Sequence, residues 1–223
     1  MIFIIVFLSG GRSSFLSLIL ASFLIITSTS QFRKYSIYLI FFIFTLIATV
    51  FFNSSNLQDR YINQSLKQIY MKDVSYLLSR EHEAVFITSL RMFTDKPLMG
   101  HGPNSFRHKC ANLNYNVPLY GCSTHPHHTY LQLLAEIGII GTIPFILGFL
   151  FLIGIYIRQF SFYIFDNIKG RLNDYRLCLF TSVMITMWPL TTSLNFFNNW
   201  INILYYIPFC FIMVKLEVEN KEL

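Results

Sequence analysis

The sequence has little charge and few of the residues that break or cross-link a chain. Only 13% of its 223 residues are Asp, Glu, Lys or Arg, and it contains 7 prolines and 4 cysteines. A soluble globular domain usually carries about 25% charged residues. This shortage of charge excludes an ordinary soluble domain and predicts an integral membrane protein. The net charge of +6 fits basic residues at membrane edges, so we expect no nucleic-acid partner.

Signals for several other classes are also missing. No small-residue cleavage site follows the first apolar run, so no cleavable signal peptide is expected. The glycines of residues 95–107 lack the GxxxxGK spacing after a strand, which excludes a nucleotide-binding P-loop. His82 and Glu83 are not followed by the second histidine of an HExxH zinc motif. We therefore expect neither a metal nor another cofactor.

Long apolar runs, in contrast, are abundant, since 54% of the residues are hydrophobic. A membrane-spanning helix needs roughly 17–25 mostly apolar residues. The runs predict five transmembrane helices at residues 1–26, 35–52, 131–157, 177–194 and 200–214. The expected fold is a single all-α integral membrane domain over residues 1–223, with one large, partly helical loop over residues 53–128.

The positions of Lys and Arg predict the orientation of these spans. Basic residues follow the first, third and fifth predicted spans. They are Arg33, Lys34, Arg158, Lys169, Arg171, Arg176 and Lys215. If the five spans alternate, all of these residues lie on one side. The sequence therefore predicts a bacterial inner-membrane protein whose 53–128 loop faces the periplasm.

All six histidines fall in that loop, at 82, 101, 108, 125, 127 and 128. Apolar residues at helical spacing across Gln58–Met92 predict helical structure within it. A loop of this length with its own structure and clustered ionisable groups is more typical of a functional segment than of a connector.

The stretch THPHHTYLQLLAE places three histidines directly before the third span. In an extended lead-in His125 and His127 point the same way and His128 points away. A histidine at a helix N-terminus lies near the positive end of the macrodipole, which favours the neutral imidazole that a general base requires. Two alternatives remain open. The rings could simply tolerate the headgroup zone, or they could join other histidines and cysteines in a zinc site, although no standard ligand spacing is present.

Two further features of the loop have both structural and functional interpretations. Cys110 and Cys122 suggest a disulfide in an oxidising compartment. The segment DKPLMGHGPNSFR is a tight turn in which Gly100 and Gly102 either let the backbone approach a ligand or serve the turn alone.

Three arginines are candidates for anion binding. Arg12 interrupts an apolar run, where a charged side chain by default faces a cavity or an anionic ligand. Arg80 and Arg91 lie about three helical turns apart on one predicted face, and guanidinium groups match a diphosphate well. A solvated helix face is the alternative for both.

Several of these segments resemble one family. PLMGHGPNSFR, Cys110 and GCSTHPHHTYLQLLAEIGIIG look like the signature of the O-antigen ligase/polymerase superfamily of bacterial envelope glycosyltransferases, and LSGGRSSFLSLIL is similar to its arginine-bearing segment, with Arg12 at the arginine. The histidine portion is the specific part of the resemblance. Family members are longer, so the chain is expected to be a C-terminal portion.

The resemblance implies transfer of a glycan from a polyprenyl-diphosphate carrier to a sugar hydroxyl of a growing glycan or of lipid A–core, without a metal. It assigns the role of general base to His127. Asn is usual at the next position, where this chain has His128. It also implies that Arg12, Arg80 and Arg91, with His125, His128 and the two glycines, bind the substrate at the membrane surface.

Two other functions remain in view. A non-catalytic transporter or flippase for lipid-linked sugars would use Arg12 and the outer loop for binding only, and would be expected to carry charged residues along several spans. A truncated, inactive remnant is the third possibility, since a partial helix bundle would not enclose the carrier.

Overall fold

The computed structural model describes residues 2–9, 11–29, 34–71, 74–75, 79–164 and 171–221. Arg33 and Lys169, two of the basic residues that predict the orientation, lie outside these residues. The described chain is mainly helical, with α1 Ile2–Leu8, α2 Arg12–Ser28, α3 Ser36–Phe52, α4 Ser55–Gln58, a π-helical turn Asp59–Asn63, α5 Gln64–Ile69, α6 Arg80–Asp95, α7 Phe106–Lys109, α8 Thr129–Ile164, α9 Asp174–Thr186 and α10 Asn199–Lys221. Two short strands, β1 Tyr70–Met71 and β2 Val74–Ser75, pair antiparallel.

The chain divides into two compact units. Unit 1 comprises Met1–Ser55, Gly148–Trp188 and Ile203–Leu223, and unit 2 comprises Asn56–Leu147 and Pro189–Asn202. The large loop and the start of α8 belong to unit 2. The single membrane domain expected from the sequence stays a prediction.

Unit 1 is built on apolar helix packing. Its buried cluster is contributed by α8, α9 and α10 and consists of Phe149, Leu152, Tyr156, Val183, Met184 and Ile212. Near the N-terminus the rings of Phe7 and Phe15 pack with centroids 4.9 Å apart. Since no charged group belongs to this cluster, hydrophobic burial and van der Waals packing hold the described part of the unit together.

The predicted spans agree with the helices to different degrees. The span predicted at 35–52 corresponds to α3, but the one predicted at 1–26 is divided between α1 and α2. The span predicted at 177–194 overlaps α9, which ends at Thr186. Pro189 explains this end, since a proline disfavours helical geometry in the residue before it.

One described helix is long and apolar enough to cross a membrane, the stretch Thr129–Phe162 of α8. The pair Ser36–Phe52 and Ser55–Asn63, bent by 100°, would add a second, and Arg12–Ser28 is a shorter apolar helix. The prediction of five transmembrane helices stays a prediction.

The central element of unit 2 is α6. Its N-cap Ser79 accepts a hydrogen bond from the His82 N–H at 3.4 Å, and Glu81 and Glu83 in the first turn complement the helix dipole. The buried face carries Ala84, Val85, Thr88, Ser89 and Met92 at helical spacing. The helix predicted across Gln58–Met92 is thus interrupted by the β1–β2 hairpin, whose Tyr and Val favour strands.

Candidate active site

Three imidazoles meet in unit 2. His82 lies on α6, and His125 and His127 lie on the loop that leads into α8. The ring centroids of His125 and His127 are 4.1 Å apart, and the ring of His82 meets that of His127 edge-on at 5.5 Å. His128 instead directs its ring toward Phe86, at 5.3 Å. His127 and His128 therefore both contact α6, at His82 and Phe86 one helical turn apart, so the strict alternation expected of an extended segment is not kept at His128.

The backbone of His127 is strained. Its φ angle is 58°, in the left-handed region that residues other than glycine rarely adopt. The carbonyl of His127 accepts a hydrogen bond from the Ser193 N–H at 3.0 Å. A conformation of this kind costs on the order of 1–3 kcal/mol and persists where the surroundings fix it, often at functional sites.

The imidazole of His127 carries no positive charge at neutral pH. Burial, followed by charge repulsion from His125 and from His82, lowers its pKa to about 4. The ring is therefore neutral at pH 7. Among the residues that the structure describes, neither ring nitrogen of His127 has a hydrogen-bond partner.

His128 has a different environment. Its Nδ1 accepts the N–H of Leu131 at 3.3 Å and so caps the start of α8. Burial lowers the pKa of His128, and a hydrogen bond to the backbone of Pro189 opposes that effect. The His128 ring therefore has two backbone partners, Leu131 and Pro189, whereas the His127 ring has none among the described residues.

His125 is buried, with only 9% of its surface exposed. Its Nδ1 lies 3.0 Å from the hydroxyl oxygen of Thr124. Burial lowers the pKa of His125, a hydrogen bond to the backbone of Ser193 raises it, and the guanidinium of Arg107 lowers it further. His125 is therefore a second neutral imidazole directly beside His127.

The segment DKPLMGHGPNSFR packs against a break in α8. Gly138 has φ 66° and ψ −173°, which interrupts the helix. The N–H groups of Ile139 and Ile140 donate across the break to the carbonyls of Pro97 and Leu98, at 2.8 and 3.3 Å. The free backbone groups of the broken helix are thus satisfied by this neighbouring segment.

Gly100 is required by that close approach. It has φ 65°, and a Cβ placed on it would lie 2.6 Å from the carbonyl oxygen of Glu136 and from the amide nitrogen of Gly138. Gly102 has φ 100° with open space around it. Gly100 therefore has a packing role against α8, and the predicted contact of either glycine with a substrate stays a prediction.

Glu136 anchors the same segment through its side chain. The carboxylate is almost fully buried and accepts the N–H of Asn104 at 2.7 Å and the N–H of Phe106 at 3.0 Å. This acidic residue of the predicted third span therefore caps α7 at its start. Its function in the structure is to connect α8 to the loop.

A second set of hydrogen bonds connects α8 to the segment after α9. The side-chain amide of Gln132 donates to the Asn195 side-chain oxygen at 2.6 Å and accepts the Phe196 N–H at 3.0 Å. The Asn195 side-chain oxygen also accepts the Phe197 N–H at 3.0 Å. Both Gln132 and Asn195 are buried.

The candidate arginines are not gathered at one point. The guanidinium carbon of Arg80 lies 5.2 Å from the centroid of the Tyr120 ring. Arg91 donates from one guanidinium nitrogen to the carbonyls of Tyr115 and Asn116, at 3.3 and 3.0 Å. Arg12 lies at the start of α2 in unit 1. Arg80 lies in the first turn of α6, the turn that also carries His82.

Cys110 and Cys122 are joined by a disulfide, with their Cα atoms 4.9 Å apart. The loop that they close rests on α6 through the Arg91 contacts and through Tyr115, whose hydroxyl donates to Asp95 at 2.8 Å. The disulfide and these contacts fix the loop that precedes the histidines.

His101 reinforces the base of this loop. Its ring accepts from Lys109 Nζ at Nδ1, at 3.2 Å, and donates from Nε2 to the Met92 carbonyl, at 3.0 Å. Burial lowers the pKa of His101. Among the described residues no group of three His, Cys, Asp or Glu side chains is arranged to hold a metal ion.

Sequence reasoning missed His82 and Ser193, which contact His127, and the buried pair Gln132 and Asn195. His82 is far from His127 in the chain, and no spacing rule links a helix residue to a loop that follows so much later. Gln132, Ser193 and Asn195 are ordinary polar residues without a motif. A polar side chain within an apolar run was the available signal for Gln132, as it was for Glu136.

A family model described as O-antigen ligase matches residues 1–146. The matched part contains His82, His125 and His127 and the break at Gly138. Ser193 and Asn195 lie beyond it. No curated protein and no solved structure matches the chain.

Proposed function

The chain belongs to the O-antigen ligase family, and on this basis we propose that it moves a glycan from a polyprenyl-diphosphate carrier to a sugar hydroxyl, with His127 as the general base. Membership implies a membrane enzyme of the glycosyltransferase type. The observation that supports the base is the state of His127, which is neutral and has both ring nitrogens unbonded among the described residues. The acceptor hydroxyl belongs to a glycan or to lipid A–core.

His127 suits this role better than His128. A base must have a ring nitrogen that can reach the proton it removes. One nitrogen of His128 caps α8, and its ring also bonds to the backbone of Pro189. We therefore assign His128 to holding the helix start, in the place where the family usually has Asn.

The reaction step balances as a substitution at the anomeric carbon. The acceptor oxygen forms a bond to this carbon while the bond from the carbon to the diphosphate oxygen breaks. The hydroxyl proton passes to His127, and the electron pair of the broken bond leaves with the diphosphate. A pKa of about 4 makes the free ring a weak base, but the charges of a bound diphosphate would stabilise the imidazolium and raise that pKa toward the working pH.

Cations are needed where charge develops on the leaving group. Arg80 projects from the turn of α6 that carries His82, and Arg107 is close enough to lower the pKa of His125. We propose these two as the diphosphate ligands of unit 2. Arg91 already binds two backbone carbonyls and is assigned to holding the disulfide loop. Arg12 remains a proposed ligand from its resemblance to the family arginine.

A lipid carrier requires the site to lie at the membrane surface. The part of this apolar stretch after the break at Gly138, residues 139–162, is about 36 Å long, enough to cross a hydrocarbon core about 30 Å thick. Residues before Gly138, such as Gln132 and Glu136, are buried in protein, while Ile140 and Leu147 after it are exposed. We therefore infer that the membrane begins near Gly138, with the histidines just outside it on the periplasmic side.

The proposal is tested by glycan transfer in membranes from a strain that lacks its own enzyme. His127→Ala should reduce transfer about 100-fold or more, since general-base catalysis contributes roughly that much. His108→Ala is the matched control, because His108 is an exposed histidine of the same loop. Protein levels in the membrane are compared by immunoblot.

Equal transfer by His127→Ala and the parent chain would eliminate the histidine mechanism. It would favour a binding or transport role for the lipid-linked glycan. Loss of transfer in the His108→Ala control would point to a general defect of the loop instead.

A further inference from the structure

We propose that Gln132 and Asn195 are positioning residues for His127, acting through the segment 189–197. This inference concerns the proposed base and so rests on the proposed function. Neither residue is argued to touch a substrate. The buried pair is named the amide clasp.

The clasp acts on a short stretch of backbone. Gln132 uses both ends of its side-chain amide, one on Asn195 and one on the Phe196 N–H. Gln132 and Asn195 are 1% and 6% exposed, so water cannot readily replace these bonds. The clasp therefore fixes residues 195–196 against the first turns of α8.

Two residues earlier, the same segment holds the candidate base. The Ser193 N–H donates to the carbonyl of His127 at 3.0 Å. That carbonyl belongs to a residue with φ 58°, a conformation that relaxes unless its surroundings fix it. The hydrogen bond from Ser193 thus stabilises the strained backbone of His127, and the clasp fixes the position of Ser193.

The clasp also contacts the loop that contains Asn104. Asn195 donates to the Asn104 side-chain oxygen at 3.4 Å, and the N–H of Asn104 donates to the Glu136 carboxylate at 2.7 Å. Two separate segments therefore meet on Gln132 and Glu136, one turn apart on α8. An error in either of them would displace the ring of His127 relative to His82 on α6 and to His125.

The test is chemical labelling of the full-length protein in detergent with diethyl pyrocarbonate, which acylates neutral, accessible imidazoles. The labelling rate of His127 is followed by mass spectrometry from pH 4 to 8. Gln132→Met and Asn195→Leu remove the hydrogen bonds with little change of volume. We expect both to move the titration midpoint of His127 upward, toward that of an ordinary histidine, and to increase its labelling rate at pH 7.

Two internal references separate positioning from unfolding. His101, whose side chain is 1% exposed, should stay unreactive while unit 2 is folded, and the exposed His108 should react in every variant. Gln159→Met is the matched control, because Gln159 is also a buried glutamine of α8 with a backbone partner, the Leu172 N–H at 3.1 Å, but belongs to unit 1. It should leave His127 unchanged.

The double variant tests whether the effects of Gln132 and Asn195 on His127 are coupled. Because Gln132 and Asn195 share one bond, the double variant should shift His127 by less than the sum of the two single variants. Additive shifts, an unchanged His127 titration, or a change that occurs only together with exposure of His101 would each overturn the proposal.

Transfer gives a second readout. The clasp variants should lose roughly 10- to 100-fold in kcat with a small change in donor KM. A loss of this size is expected when a catalytic group is displaced by up to about 1 Å. Labelling does not depend on transfer. If His127→Ala keeps its activity, the proposed function fails while the labelling experiment still decides the role of the clasp.

Discussion

The imidazole of His82 meets that of His127 edge-on, with 5.5 Å between the ring centroids. One ring comes from a helix and the other from a strained loop, so the pair forms only in the folded protein. After burial and the neighbouring His125, His82 is the third cause that lowers the pKa of His127. A positive charge on either ring would repel the other, and the arrangement therefore keeps the candidate base neutral.

The pH dependence of transfer follows from this. A group with a lowered pKa stays neutral above that pKa and is lost as a base only when the pH falls through it. We expect kcat/KM to be constant from about pH 7.5 down to about pH 5.5 and to fall toward a midpoint near 4. An acidic limb at pH 6–7, where an ordinary histidine titrates, would contradict it.

The contribution of His82 can be isolated in the same assay. His82→Phe keeps a ring against His127 but removes one source of repulsion, so the acidic limb should move to higher pH. His108→Phe changes an exposed histidine and should leave the limb where it is. A limb that moves equally in both variants would mean that the pair of rings is not the cause.

His128 is expected to tolerate the residue that the family usually carries. Its Nδ1 caps α8 by accepting the Leu131 N–H, and Asn is among the best N-cap residues. His128→Asn should keep transfer and thermal stability close to those of the parent. His128→Ala removes the cap and should cost about 1 kcal/mol of unfolding free energy, measured as a lower Tm in detergent. A 100-fold loss of transfer in His128→Asn would instead identify His128 as a base.

The close contact between Gly100 and the break in α8 predicts a strong effect of a single methyl group. Gly100→Ala and Gly138→Ala both place a Cβ at positive φ against backbone atoms. Each should reduce the unfolding free energy by about 1–3 kcal/mol or more. Gly154→Ala, at a position of α8 with open space around it, should be neutral or slightly stabilising, because Ala is the better helix former. Equal Tm values for all three variants would contradict the packing role.

The disulfide should stabilise unit 2. Cys110 and Cys122 are 12 positions apart, and a loop of that size is typically worth about 2–4 kcal/mol. Replacing both by Ser should lower the Tm in detergent and remove its sensitivity to reductant. The matched control replaces Cys178 and Cys210, which are unbonded and exposed, and should leave that sensitivity intact. A parent chain whose Tm does not respond to reductant would argue against a stabilising bridge.

Local features of the fold could be predicted from the sequence because they depend on neighbouring residues. The unbroken run YSIYLIFFIFTLIATVFF predicts a helix within one residue of α3. The alternation of histidines predicts that His125 and His127 lie together, but not that His127 and His128 both contact α6. Pro189 is a local signal for the end of α9, since the restriction that it places on Trp188 depends on its direct neighbour.

The rest depends on contacts between distant segments. A glycine in LAEIGIIG does not reveal that Gly138 adopts φ 66°, because a helix can also accept glycine without a break. The break is stabilised by the carbonyls of Pro97 and Leu98, which no periodicity connects to it. In the same way, composition marks Glu136 as unusual but cannot show that its partners are two backbone N–H groups of another loop.

The clasp also bears on the order in which the chain acquires its activity during synthesis. Gln132 finds its backbone partner in Phe196, 64 positions later, and the grip on His127 comes from Ser193 in the same late segment. When the histidines, the disulfide loop and the first part of α8 have been synthesised, the segment that fixes His127 is therefore still missing. The proposed base is fixed in position only after α9 and the segment 189–197 have been made, so that a nascent chain lacks a complete site until its later helices are in place.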